Sequence, residues 1–414
     1  DQRSQAEIVR QSLKRRYRKE RRFRAYGILA IAIALGALLT LFTDIIAKGY
    51  TGFVKTTITL EVNLDREMMY LDDPTDERQM KMADFVEPLI QALIQEIPGA
   101  TEEDRDGVRD LINPYASVTL RDAIKANPGW LGTTQTMSFL THTDVDVYVK
   151  HAGDEAYSIK LDEQQRAWVD ELLERDVIET SFNDVFFSGG DSRDPSKAGI
   201  LGAIVGSMLT MFVTLILSFP IGVAAAIYLE EFAPQNRFTD FIEVNINNLA
   251  AVPSIIFGLL GLAVFINLFG MPRSVPAVGG LVLTLMTLPT IIISSRAAIK
   301  SVPPSIREAA EGIGASRMQV VLHHVLPLAM PGMLTGSIIG MAQALGETAP
   351  LLLIGMVAFF DSATVLPVQV FLWAGSPELA FIERASAAIM VLLTFLISMN
   401  ALAIWMRKRL ERRW

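Results

Sequence analysis

Between two long apolar runs the chain reads Pro303-Pro304-Ser305-Ile306-Arg307-Glu308-Ala309-Ala310-Glu311-Gly312-Ile313-Gly314. Proline fits the first turn of a helix and serine can cap it, so a short helix is predicted over residues 306–313. Gly314 lies where such a helix can stop or turn. After nine further residues the chain continues as His324-Val325-Leu326-Pro327.

Six apolar runs surround or flank this stretch, and each is long enough to cross a hydrocarbon core about 30 Å thick as a helix. They cover residues 26–46, 200–229, 249–269, 278–299, 326–360 and 385–405. The 414 residues are 51% hydrophobic, which excludes an ordinary soluble protein. The fifth run is too long for one simple crossing, so part of it should kink, tilt or follow a membrane face. We therefore predict an all-α membrane protein with six transmembrane helices.

Positive charge sets the predicted orientation. Lys and Arg cluster in residues 14–24, before the first run, and in residues 407–413, after the last. Because such clusters stay in the cytoplasm, both ends should lie inside and contact lipid headgroups rather than nucleic acid. The predicted segments are a basic tail, the first transmembrane helix, an outside domain, a five-helix core with an inside loop at 300–325, and a second basic tail, at residues 1–25, 26–48, 50–198, 199–406 and 407–414.

The outside segment differs from the rest in charge. Residues 56–198 carry 30 acidic and 13 basic side chains, whereas the remainder carries 15 acidic and 24 basic. Strands are predicted where apolar residues alternate, at Ile58, Leu60, Val62 and Leu64 and again at Val145, Val147 and Val149. Helical patterns cover residues 82–97 and 162–174. An inserted α+β domain is predicted, and its acidity is interpreted as a solvated surface rather than a cation or partner site.

The inside loop resembles the EAA loop of binding-protein-dependent ABC importer permeases. Their pattern is Glu-Ala-Ala, three residues, Gly, nine residues, Ile, one residue and Leu-Pro, which is matched here by Glu308, Ala309, Ala310, Gly314, Leu326 and Pro327. His324 occupies the isoleucine position and is the one departure. The resemblance implies a coupling helix that docks on an ATPase subunit, with Arg307, Glu308, Ala309, Ala310 and Gly314 as its residues.

Three further segments resemble the PstA and PstC phosphate permeases, namely Tyr228-Leu229-Glu230-Glu231-Phe232, Val252-Pro253-Ser254-Ile255-Ile256-Phe257-Gly258-Leu259 and Gly346-Glu347-Thr348-Ala349-Pro350. The resemblance covers residues 200–406, and its Arg-Glu-Ala-Ala loop favours the PstA type. It implies a type I ABC importer permease fold in a bacterial inner membrane, with residues 50–198 periplasmic. The partners implied are a PstC-type permease, PstB-type ATPase subunits and a PstS-type binding protein.

ATP hydrolysis is expected on a separate chain. The sequence has no Gly-Lys dipeptide, so it lacks the phosphate-cradling loop of a nucleotidase. ATP-Mg should therefore bind the partner ATPase, and no cofactor is expected on this chain. The four histidines have no ligand spacing and there is no cysteine, so a metal site is not predicted.

Glu347 is the main candidate for the translocation path or gate, together with Gln343 and Thr348. An ionised group inside a span costs about 2.5–3.5 kcal/mol on insertion scales, so it should face protein or water. A structural hydrogen bond that braces the helix break at Pro350 is the open alternative. Members of the phosphate family often carry arginine where Gln343 stands, so an intrachain ion pair is not expected. Arg296 is a further candidate for anion contact, with snorkelling to the cytoplasmic interface as its alternative.

The predicted function is a permease subunit of an ATP-driven importer of inorganic phosphate, without catalytic residues of its own. A permease for another oxyanion or small solute is the first alternative. A membrane-anchored sensor would need a cytoplasmic output domain, although only about 24 residues precede the first run. An intramembrane enzyme would need a catalytic pair, whereas Glu347 is the one clear ionisable residue deep within a span.

Overall fold

The computed structural model describes residues 5–151, 159–357 and 364–410. Within them, five helices are long and apolar enough to cross a membrane, and a bent pair of helices makes a sixth if it is counted as one span. The α-helices of this part are Gln5–Gly49, Leu201–Ile227, Arg237–Ala250, Ser254–Gly261, Pro276–Lys300, Pro304–Gly312, Arg317–Gln319, Leu326–Leu345, Ala349–Leu353, Leu366–Ala374 and Leu379–Leu410. Segments of π-helix adjoin some of these helices. Tyr228–Phe232 follows helix Leu201–Ile227, and Leu262–Leu268 follows helix Ser254–Gly261. Val320–Val325 joins Arg317–Gln319 to helix Leu326–Leu345.

The third apolar run is not the straight crossing that was predicted. Helices Arg237–Ala250 and Ser254–Leu268 meet at 101° around Pro253. Proline disfavours helical geometry in the residue before it, which explains a bend at this point. The second arm has 15 residues and rises about 22 Å, less than the thickness of a hydrocarbon core. The first arm exposes Phe238 and Phe241.

Helix Pro276–Lys300 lies at the centre of the membrane part. Its most apolar stretch is 61% buried, against 0% for the corresponding stretch of the first helix. Small residues allow the neighbours to approach closely: a Cβ on Gly280 would lie 2.5 Å from Val213, and one on Gly336 would lie 1.8 Å from Ser294 Oγ. The buried hydroxyl of Thr284 bonds within its own helix, where it donates to the carbonyl of Gly280 at 2.7 Å.

The fifth run breaks, as its length predicted. Helix Leu326–Leu345 ends before Gly346, and a short helix, Ala349–Leu353, follows the break. Beyond the break, residues 364–384 contain helix Leu366–Ala374, in which Leu366 and Val368 are buried. Residues 358–363 lie outside the described residues.

The inserted domain is α+β, as predicted. Its sheet has the order β2-β1-β3 with both pairs antiparallel, and its strands are β1 (Val54–Asn63), β2 (Thr134–Leu140) and β3 (Ile178–Phe182). The predicted alternation in β1 is confirmed, since Ile58, Leu60, Val62 and Leu64 are all fully buried. The α-helices are Arg66–Met69, Glu77–Met82, Glu87–Glu96, Arg105–Arg109, Ala116–Ala126, Thr143–His151, Glu163–Glu174 and Asp184–Ser188.

The strand predicted around Val145–Val149 is wrong, because these residues lie in helix Thr143–His151. Val145 and Val147 are buried, but so is Asp146 between them. The Asp146 carboxylate accepts from the backbone N–H of Thr56 at 3.0 Å and pairs with Lys150 at 2.6 Å. Because Val145, Asp146 and Val147 are all buried, these residues do not alternate between inward and outward faces as a strand requires.

The inserted domain and the membrane helices share a hydrophobic cluster. Phe186 is fully buried in it, with its ring 5.7 Å from that of Phe53 and 6.4 Å from that of Trp373. Buried polar contacts surround the cluster: His151 Nε2 lies 2.5 Å from Glu383, and Arg384 donates to the carbonyl of Gly52 at 3.1 Å. The domain is therefore packed directly onto helix Leu379–Leu410.

We predict that Phe186→Ala lowers the free energy of unfolding by about 3–5 kcal/mol, since it leaves a cavity in this shared cluster. The thermal midpoint of the purified full-length protein in detergent measures the effect. Phe182→Ala is the matched control, because Phe182 is 65% exposed and its removal opens no cavity. Equal midpoints for the two variants would contradict the shared cluster.

Candidate functional site

The loop after helix Pro276–Lys300 forms the short helix that the sequence predicted. It covers Pro304–Gly312 and begins with proline in its first turn. Gly314 has φ +90°, a left-handed conformation that favours glycine, and the N–H of Ala315 bonds to the carbonyl of Ala310 at 3.1 Å. This geometry ends the helix and turns the chain toward residues 317–325.

The five predicted coupling residues divide between the two sides of this helix. Ala310 is 4% exposed and belongs to a buried cluster with Val302, Val320 and Val325. Glu308 and Ala309 are exposed, as are Glu311 and Gly312. Ile313 follows the helix and is 84% exposed. One side of the helix is thus anchored in the protein, while the other presents carboxylates and one large apolar side chain.

Arg307 lies on the anchored side. Its guanidinium donates to Glu231 at 2.8 Å and to the carbonyls of Val302 at 2.7 Å and Ile299 at 3.0 Å. Arginine suits such a position, because its planar group directs several donors at fixed angles. Arg307 therefore holds the short helix against the C-terminal ends of two membrane helices.

Arg296 is paired within the chain. Its guanidinium contacts Glu230 at 3.3 Å and Glu243 at 2.5 Å, and Lys300 lies 3.5 Å from the same Glu230. The guanidinium that was predicted to contact an anion is thus paired with two carboxylates of the same chain. Anion contact by Arg296 stays a prediction, and these pairs weigh against it.

Gln343, Glu347 and Thr348 come together at the break in the fifth run. Gln343 is exposed, and Glu347 and Thr348 are half-buried. The Glu347 side chain makes no hydrogen bond or ion pair with any residue in the part of the chain that the structure describes. Pro350 beyond the break packs tightly on Gly258, where a Cβ would lie 2.6 Å from the proline Cα. The brace in this region comes from packing and does not involve the Glu347 carboxylate.

Sequence reasoning missed Glu230, Glu231 and Glu243 as site residues. Glu231 is 8% exposed and Glu230 is partly buried, although both follow an apolar run in a segment that was quoted only for its resemblance. The available signal was two adjacent glutamates at the end of an apolar run, followed by Arg296 and Arg307 at separations of 66 and 76 residues. In residues 5–151, 159–357 and 364–410, no group of three His, Cys, Asp or Glu side chains is arranged to hold a metal.

Comparisons with known families divide the chain in two. Residues 218–414 match the family described as binding-protein-dependent transport system inner membrane component. Residues 10–158 match a domain of unknown function, DUF3333. A solved inward-facing structure of the MetNI methionine ABC transporter overlaps 52% of this chain and 95% of its own, with a TM-score of 0.41 and 18% identity.

Curated relatives match the membrane part. The probable ABC transporter permease YqgI of Bacillus subtilis is 35% identical over 42% of this chain, which spans 59% of that relative. The phosphate transport system permease protein PstA 1 of Mycobacterium tuberculosis is 30% identical over 52% of this chain and 72% of its own length. PstA of Haemophilus influenzae is 30% identical over 49% and 74%. The chain therefore belongs to the binding-protein-dependent transport system inner membrane components, as a PstA-type permease with a type I importer fold.

Proposed function

We propose that this chain is a permease subunit through which an ATP-driven importer takes up inorganic phosphate. The observation that carries the proposal is helix Pro304–Gly312, which is anchored by Arg307 and Ala310 and presents Glu308 on its opposite side. The phosphate specificity rests on the names of the PstA relatives. The chain itself performs no catalysis.

The exposed side of this helix is the docking surface for a separate ATPase. Glu308 and Glu311 supply carboxylates for basic groups on the partner. Ile313 supplies an exposed apolar side chain that inserts into a groove of the partner. Exposed charge at the rim with a buried apolar anchor is the usual anatomy of a specific interface. ATP-Mg binds the ATPase, of the PstB type, and the helix carries the movement of that subunit to the membrane helices.

The assembly is completed by a second permease of the PstC type and a periplasmic binding protein of the PstS type. Both ends of the chain face the cytoplasm and residues 50–198 face the periplasm of a bacterial inner membrane. This orientation follows from the basic clusters at residues 14–24 and 407–413. It places helix Pro304–Gly312, which we call the docking helix, on the cytoplasmic side.

Glu347 belongs to the translocation path in this proposal. A half-buried carboxylate that has no partner among the described residues must face water or a second protein, since lipid would not solvate it. Like charges repel, so Glu347 does not bind phosphate directly. Its role is to close the path by pairing with a cationic group of the partner permease.

ATP-dependent phosphate uptake into proteoliposomes that contain the four components tests the function. We expect uptake by the unaltered assembly and its loss with Glu308→Arg, because reversal of a central interface charge costs about 2 kcal/mol or more, or roughly thirty-fold in ATPase affinity. Co-purification of the ATPase measures docking directly. Glu61→Arg, at an exposed position of the inserted domain, is the charge-matched control.

The outcomes separate the parts of this proposal. Uptake unchanged by Glu308→Arg would contradict the proposal that the docking helix binds the ATPase through this side chain. Uptake of another anion in competition experiments, with phosphate excluded, would keep the permease and reject phosphate as its substrate.

Glu347→Gln tests the gate. We expect uptake to fall about ten-fold, as for the loss of one charged hydrogen bond, while ATPase docking and the thermal midpoint stay unchanged. Glu378→Gln is the control, because Glu378 is exposed on a loop beyond helix Leu366–Ala374. A lower midpoint with normal uptake per folded protein would instead assign Glu347 to a structural brace.

A further inference from the structure

The segment Tyr228–Phe232 has no role in the function proposed so far, although it lies next to the docking helix. It forms one turn of π-helix at the inner end of helix Leu201–Ile227, in which the N–H of Ala233 bonds to the carbonyl of Tyr228 at 2.7 Å. Single turns of π-helix are frequent at functional sites. We call residues 228–232 the hub turn.

Three consecutive side chains of the hub turn contact three different elements. Glu230 pairs with Arg296 at 3.3 Å and Lys300 at 3.5 Å, both at the inner end of helix Pro276–Lys300. Glu231 accepts two hydrogen bonds from Arg307 of the docking helix, at 2.8 and 3.2 Å.

The third side chain completes the set. The ring of Phe232 has the guanidinium of Arg317 5.8 Å from its centre, a distance at which cation–π attraction acts. Arg317 begins the helical segment that leads into helix Leu326–Leu345. The hub turn therefore touches the docking helix and the ends of the two membrane helices that flank the docking loop in sequence.

The Glu231–Arg307 pair is largely enclosed by the surrounding protein. The side chain of Glu231 is 10% exposed and that of Arg307 is 23% exposed. Separation of a buried ion pair leaves an uncompensated charge and is strongly unfavourable, so the two residues should move together. Arg307 is further fixed by its bonds to the carbonyls of Val302 and Ile299.

We propose that the hub turn is the transmission element of the permease, in which Glu231 carries the displacement of the docking helix to helix Leu201–Ile227. Glu231 is a positioning residue that acts through Arg307 and does not touch the ATPase or the solute. The proposal rests on the proposed function, since it requires the docking helix to be moved by an ATPase.

A fluorescent label in the loop that directly follows the hub turn tests this. The chain has no cysteine, so Gln235→Cys, at an exposed position, gives a single site for an environment-sensitive fluorophore. In the full assembly, ATP should change its fluorescence. Glu231→Gln, which keeps the shape and removes the charge, should retain ATPase co-purification but reduce the ATP-induced change at least about five-fold, the lower end of common coupling energies.

A second variant and a control make the result specific. Arg307→Lys keeps the charge but loses the forked contact, so it should reduce the signal by less than Glu231→Gln. Glu96→Gln breaks a comparable pair with Arg175, 3.0 Å apart in the inserted domain, and should leave the signal unchanged.

Two results would overturn the proposal. A normal ATP-induced change with Glu231→Gln would show that transmission bypasses the pair. Loss of ATPase co-purification with Glu231→Gln would assign the residue to docking instead. The label reports movement whichever solute is carried, so failed phosphate uptake by the unaltered assembly contradicts only the proposed substrate, and failed ATPase binding to the unaltered chain contradicts the proposed function.

Discussion

Close packing around helix Pro276–Lys300 is the constraint on which the rest of the membrane part depends. In lipid, helices gain no hydrophobic energy from association, so they need surfaces that allow backbones to approach. Glycine supplies this on both neighbours: Gly222 of helix Leu201–Ile227 meets Ile291, and Gly336 and Gly332 of helix Leu326–Leu345 meet Ser294 and Ala298. Helix Pro304–Gly312 follows the C-terminal end of this central helix after three residues, so its position is set by the same packing.

Local signals made the docking helix predictable. Proline near residue 304 and a left-handed glycine at 314 act on their immediate neighbours, and the helix begins and ends within about two residues of the expected bounds. The apolar runs were equally visible, because a bilayer demands length and hydrophobicity in one continuous segment. The bend at Pro253 was not predicted from the apolar runs, because hydropathy does not show whether a helix changes direction.

Contacts between distant residues could not be predicted in this way. Glu231 and Arg307 are 76 positions apart, and no pattern around either residue names the other. The alternation at Val145–Val149 misled for a related reason: Asp146 is buried only because the backbone of Thr56 and the side chain of Lys150 meet it in the folded chain. Whether a charged side chain is buried depends on its partners in the folded chain, and a sequence periodicity does not identify those partners.

The inserted domain has almost no slack where it joins the membrane. Strand β1 begins at Val54, directly after a single turn at Tyr50–Phe53 that continues the first helix. A Cβ on Gly52 would lie 2.8 Å from Ala387 of helix Leu379–Leu410, so the chain enters the domain pressed against that helix. No flexible linker separates the first helix from strand β1 at this junction. Tilting of helix Leu379–Leu410 within the bilayer would swing the domain as a lever, and its far surface would travel farther than the helix end that drives it.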